Sequence, residues 1–164
     1  MGIQGLYGGP MENYEIRPVT AADGDDVCKM AFGLLSELYP DIYTIEQLRP
    51  VTERIIRESG TVFPFMAICD GQPVGLIVLN QCTAIYALGD FGEISELFVD
   101  PKFRSSGLGA KLIEKALEFG QSMGWTMLEV GAPDVPKWQR TVDFYRRNGF
   151  TEIGPRLYRS FIDV

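Results

Sequence analysis

The sequence predicts an α/β (α+β) fold: one mixed, mostly antiparallel sheet of six or seven strands, flanked by about four helices. Three observations predict it. Apolar residues make up 46% of the 164, with ten Phe and two Trp, which suffices for a substantial core. Strand and helix periodicities follow one another in the order β-α-α, three or four strands, then α-β-α-β. No repeat or low-complexity linker divides the chain, and its length suits a single domain.

That domain is expected over residues 12–164, with residues 1–11 as a flexible lead. MGIQGLYGGP is glycine-rich and unpatterned, and it lacks the basic-then-apolar order of a signal peptide. Residues 14–19 (YEIRPV) read as a short strand. Thr20 is placed to cap a helix whose apolar face is Val27, Met30, Ala31, Leu34, Leu35 and Leu38, stopped by Pro40. Residues 44–59 predict a second helix, with a break or restart near Pro50 and an end at Gly60. VFPFMAICD, Asp70-Gly71 and QPVGLIVLN read as a β-hairpin. A further strand is expected over 82–88, then a turn at 89–92, then the strand EISELFVD, closed by Pro101.

Leu108, Leu112, Ala116, Leu117 and Met123 mark an amphipathic helix ended by Gly124. TMLEVGA reads as a strand. Residues 136–148 predict a helix with Trp138, Val142 and Tyr145 on one face and Gly149 beyond its end. TEIGPRLYRSFI is the last expected strand, with an interruption at Gly154-Pro155.

Charge and composition narrow the function. A net charge of −7 disfavours nucleic-acid binding and suits cationic partners, aliphatic amines among them. No apolar run reaches membrane-spanning length. Cys28, Cys69 and Cys82 lack metal or redox spacing, so they are expected to be reduced and structural, as in the cytoplasm. The chain has no histidine. That removes Ser-His-Asp and Cys-His arrangements, histidine zinc sites and the imidazole base; no metal is expected. Acid–base work falls to carboxylates, Tyr, Lys, Cys or water.

One stretch stands out, FVDPKFRSSGLGAKL at 98–112. A strand end runs through a basic, glycine-rich loop into a helix N-terminus. Gly107 and Gly109 permit close backbone approach, and Ser105 and Ser106 can cap the helix or donate hydroxyls. Helix amides and Arg104 favour negative charge, so the loop reads as a phosphate or pyrophosphate seat. It does not match GxGxxG, because the third position is Leu112, nor GxxxxGK[ST].

VDPKFRSSGLGAKLIEKAL resembles the signature of the GNAT superfamily of N-acetyltransferases, [QR]-x-x-G-x-[GA], with Arg104, Gly107 and Gly109 in the fixed places. FYRRNGF at 144–150 resembles the family's late-helix motif. Together the likeness runs from residue 14 to the C-terminus.

The resemblance implies acetyl-coenzyme A as acetyl donor. It implies that the backbone at Ser105, Ser106, Gly107, Leu108, Gly109 and Ala110 cradles the pyrophosphate. Leu97, Phe98 and Val99 would pair with the pantetheine arm. Tyr145 falls on the family's tyrosine and is the implied general acid. Glu93, Glu96 and Glu129 are carried as bases in that order, with a water relay as the alternative. Regular strand alternation sets Glu93 on one face with Ser95, Leu97 and Val99, and Glu96 on the other with Ile94 and Phe98.

The sequence departs from the family pattern at Trp138, where Asn is common, and at Thr141, where Ala is common. APDVPKW also runs longer than usual. The acceptor is expected to be a primary amine of a small cationic molecule, bounded by residues 32–56 and 132–137, with Tyr39, Asp41, Tyr43 and Asp134 as candidates. A protein amine, a different acyl chain, or a non-catalytic coenzyme A module on the same fold are the alternatives. A monomer or homodimer fits all of them.

Overall fold

The computed structural model describes residues 14–58 and 60–161. The expected lead at 1–11, Ser59 and the last three residues lie outside them. Contacts gather into two compact units, one up to Glu129 and one from Val130.

The first unit holds a sheet in the order β1-β2-β3-β4-β5. β1 is Tyr14–Pro18, β2 Val62–Cys69, β3 Gln72–Ala84, β4 Gly89–Val99 and β5 Leu128–Val130. The first four pair antiparallel. Asp70 and Gly71, both at positive φ (48° and 77°), turn β2 into β3, as a two-residue hairpin with the sheet's twist requires.

Five strands among the described residues replace the six or seven expected, for two reasons. The strand expected at 82–88 is the end of β3, which runs unbroken to Ala84. The chain turns at 85–88, with the Leu88 N–H donating to the Ile85 carbonyl (3.0 Å), and the expected turn at 89–92 is the start of β4. The strand expected from TEIGPRLYRSFI is absent over its described residues, which are irregular. Gly154 takes φ 130° and Pro155 has no N–H to donate, so the chain is interrupted where pairing would begin. Ile153, Leu157, Tyr158 and Phe161 are exposed.

Helix α1, Gly24–Leu38, follows a single 3-10 turn at Ala21–Asp23. Asp23 holds the turn: its carboxylate accepts from the Thr20 N–H (2.7 Å) and hydroxyl (2.9 Å). It also takes both Arg17 terminal nitrogens (2.7 and 2.9 Å). Val27 and Met30 of α1 bury against Met66, Leu76, Val78 and Phe98 of the sheet.

Helix α2, Ile45–Arg57, is closed at its start by a reciprocal pair between Thr44 and Gln47. Pro50 lies inside it and the helix continues, without the break expected there. An interior proline costs about 3 kcal/mol. The capped start and the apolar face, with Ile56 on the core cluster, hold the helix through it.

Helix α3, Leu108–Ser122, lies on the opposite face of the sheet from α1, burying Leu108, Leu112, Ile113 and Ala116. It approaches β3 at Gly75, where an added Cβ would stand 3.1 Å from Leu112. In the second unit, helix α4 is Gln139–Arg147, shorter than the 136–148 expected. Gly149 follows it at φ 88°, the left-handed position that glycine takes beyond a helix end.

Candidate functional site

The loop between β4 and α3 is built by local bonds. The Asp100 carboxylate accepts from the Lys102 N–H (2.9 Å) and shapes a 3-10 turn at Pro101–Phe103. Ser106 Oγ donates to the Phe103 carbonyl. Ser105 and Gly107 both take positive φ, 64° and 91°. Successive reversals of this kind turn backbone amides into one concavity, a geometry that suits anions. Gly107 is the N-cap of α3 and has no side chain to offer its first amides. A Cβ at Gly107 would meet nothing within 4 Å, so its surroundings are open. Leu108 is fully buried and anchors the helix start, while Gly109 and Ala110 continue its first turn.

Arg104 is engaged by the strand end and by α1. Its Nε donates to the Val99 carbonyl (2.9 Å), its other end pairs with Glu37 of α1, and its guanidinium lies 5.9 Å from the Phe98 ring centroid. The arginine of the motif therefore ties the loop to the strand end and to α1.

β5 enters beside the start of β4, where the Thr126 N–H donates to the Asp90 carbonyl (2.9 Å) and the Gly92 N–H to the Met127 carbonyl (3.0 Å). With three residues against eleven, β5 is too short to follow β4 as far as Leu97, Phe98 and Val99. On the other edge these three pair with Ile77, Leu76 and Gly75 of β3.

The placement of the glutamates corrects the alternation argument. Val78 pairs with Glu96 and Leu79 with Ile94, so Ser95 is an extra residue in β4, a β-bulge. In a regular strand, positions three apart face opposite ways. One inserted residue reverses that parity. Glu93 stands opposite Asn80, Glu96 opposite Val78 and Phe98 opposite Leu76, and directly opposed residues share a face. Glu93, Glu96 and Phe98 therefore lie together on the α1 face, while Ile94, Leu97 and Val99 lie on the α3 face.

Burial is the main cause that raises the Glu96 carboxyl above the usual carboxylate range. A hydrogen bond from Ser95 opposes it, and the nearby Glu93 charge adds to it. Asn80 Nδ2 in turn donates to Ser95 Oγ (2.8 Å). Asn80 and Ser95 were not among the residues singled out from sequence. A signal for them exists: in GEISELFV the polar residues fall at 93, 95 and 96, and the slip of period at 95–96 marks the bulge. Glu129, the third carboxylate, accepts a hydrogen bond from the Tyr86 hydroxyl (2.9 Å).

Tyr145 belongs to the second unit. It is buried on α4, with its ring 5.3 Å from that of Phe144 and 5.5 Å from that of Phe150. Desolvation pushes its phenol up to about 12, so it stays protonated through the neutral range. Trp138 precedes α4 as its N-cap, with the Lys137 ammonium 5.2 Å from its ring. The Trp138 backbone N–H donates to the Asp134 carbonyl (3.0 Å). Tyr39 and Tyr43, past the end of α1, meet edge to face at 6.1 Å, and Asp41 between them is exposed at φ 61°.

Among the described residues no helix is long and apolar enough to cross a membrane.

Comparison with known proteins places this arrangement. The model of the Acetyltransferase (GNAT) family matches residues 29–150. An uncharacterized N-acetyltransferase of Methanocaldococcus jannaschii is 31% identical over 147 residues, 87% of this chain. The chain spans 62% of that relative's length, under two thirds. An N-alpha-acetyltransferase of Sulfolobus acidocaldarius is 26% identical over 150 residues, 86% of this chain and 82% of that protein. The crystal structure of a possible acetyltransferase from Clostridium difficile 630 superposes with a TM-score of 0.79 at 15% identity, over 93% of this chain and all of that one. That last likeness is one of fold. With the family model covering most of the sequence, the chain belongs to the GNAT family of acetyltransferases.

Proposed function

We propose that the protein is an N-acetyltransferase that moves an acetyl group from acetyl-coenzyme A to a primary amine by direct transfer. The observation that carries this reading is the turn at Ser105 and Gly107, which opens onto the uncapped start of α3. A pyrophosphate fits there because backbone amides and the helix dipole both favour an anion, and nothing crowds Gly107. Ser105, Ser106, Gly107, Leu108, Gly109 and Ala110 would hold it. Arg104 would act through the loop it ties down, and Leu97, Phe98 and Val99 would offer strand backbone to the pantetheine arm. When bound, the cosubstrate supplies a thioester-activated acetyl group.

The chain's own residues would then position the partners and move protons. A lysine-like amine is protonated below about pH 10.4 and must lose a proton to attack. Glu96, raised by burial, is the better acceptor of that proton, with Glu93 beside it on the same face. Glu129 is engaged by Tyr86 and stands third. Tyr145, protonated at neutral pH, would donate to the departing thiolate. Orientation alone can supply about 7 to 11 kcal/mol, so no covalent acetyl-enzyme is required.

The acceptor we infer is small and cationic, consistent with the net charge of −7 and with Asp41, Tyr39, Tyr43 and Asp134 as flanking groups. Cys28, Cys69 and Cys82 form no disulfide among the described residues, which suits a cytoplasmic setting. The Sulfolobus relative's name favours a second acceptor class, a peptide N-terminus. Thiol release from acetyl-coenzyme A in the presence of spermidine, kanamycin, glutamate or a tetrapeptide with an alanine N-terminus tests the reading. Amine-dependent release with at least one of them is expected. Acetyl-coenzyme A binding without release in every case would instead mark a non-catalytic coenzyme A module.

A further inference from the structure

The bulge in β4 collects three polar groups in a row. Asn80 Nδ2 donates to Ser95 Oγ at 2.8 Å, and Ser95 Oγ is hydrogen-bonded to Glu96 Oε2. The Val78 carbonyl lies 3.5 Å from the same hydroxyl. A serine hydroxyl has one proton to give. With the Asn80 amide on one lone pair, that proton goes to the nearer and charged acceptor, the Glu96 carboxylate. In a regular strand two successive residues such as Ser95 and Glu96 project from opposite faces; the bulge at Ser95 breaks that alternation and lets the row form.

We propose that Ser95 and Asn80 are positioning residues for Glu96: Asn80 orients the Ser95 hydroxyl, and Ser95 holds the Glu96 carboxylate in place as proton acceptor. The inference rests on the reading of Glu96 as base. Burial and the Glu93 charge both work against ionisation of Glu96, and the Ser95 bond is what opposes them. On β3, Val78 stands opposite Glu96 and the neutral Asn80 opposite Glu93. α1, packed on β4 where Gly33 meets the Phe98 ring, brings Glu37, whose charge is taken up by Arg104.

Titration of the side-chain carboxyls by NMR in the full chain with carbon-13-labelled glutamate tests this directly. Ser95→Ala should move the Glu96 midpoint upward by about one pH unit, since a donor to the ionised form is lost. Asn80→Ala should move it upward by less. The double variant should move it no further than Ser95→Ala alone, because Asn80 acts through Ser95. Ser95→Thr, which keeps the hydroxyl, should restore the wild-type midpoint. Ser95→Cys keeps the volume with a weak donor and should fall between, which secures the test if Ser95→Ala does not fold.

An unmoved midpoint in Ser95→Ala or Ser95→Cys, or shifts that simply add in the double variant, overturns the inference. Turnover separates it from the reading beneath. With the amine that the wild type acetylates fastest, Ser95→Ala should lower kcat and leave KM for acetyl-coenzyme A unchanged. Full turnover in Glu96→Gln removes the base assignment itself. Loss of turnover in Glu96→Gln, with Ser95→Ala unaltered in midpoint and kcat, removes only the positioning role.

Discussion

A carboxylate accepts protons usefully near neutral pH only when its surroundings raise it, and Glu96 is raised by burial and by its neighbour Glu93. Glu96→Gln keeps the shape and removes the basicity, and should lower kcat by about 10² to 10⁴-fold. The acidic limb of kcat/KM should fall above the ordinary carboxylate range in the wild type; steady-state rates across pH with saturating acetyl-coenzyme A check both. Asp23 is the opposite case. The hydrogen bonds from Arg17, then those from Thr20, hold its carboxyl well below the usual range. A depressed folded pKa means that the stabilisation is complete above the unfolded value, near pH 4, and is lost as pH falls toward the folded one. Asp23→Asn should cost about 2 kcal/mol at pH 7 and much less at pH 2, read from urea midpoints at the two pH values.

At the scale of elements, glycines separate stability from binding. A Cβ at Gly107 meets nothing, so Gly107→Ala pays only for its φ of 91°, about 1 kcal/mol. A Cβ at Gly92 would stand 2.2 Å from the Trp125 ring, whose indole N–H is tied to Gln81 (3.0 Å). Gly92→Ala should therefore lose more stability, about 1 to 3 kcal/mol. In calorimetric titration with coenzyme A the order should reverse, with Gly107→Ala the weaker binder. The same contrast says what was legible in the sequence. Gly107 and Gly149 were visible because a backbone at positive φ dictates glycine, and those glycines fell at helix boundaries. The bulge at Ser95 was not, because strict alternation was assumed, and a single inserted residue reverses every face after it. The tail was read as a strand from its apolar residues, but Gly154 and Pro155 break the run and its large side chains stand exposed. Pro50 predicted a break that capping and packing override.

For the whole molecule, the fold class was legible because the main helix faces, the β2–β3 hairpin and most caps agree with one sheet carrying helices on both sides. The donor side is proposed from one loop, whose glycines and helix start the sequence marks. The acceptor side was not legible, since the residues proposed for it, over 32–56 and 132–137, share no motif spacing. The central claim is direct acetyl transfer to an amine. It is tested most directly by mass spectrometry after incubation with acetyl-coenzyme A labelled with carbon-13 in the acetyl group and the four amines. The account predicts labelled acetyl on the amine nitrogen and a protein of unchanged mass. Labelled protein with unlabelled amines, or bound cosubstrate with no labelled product at all, would contradict it.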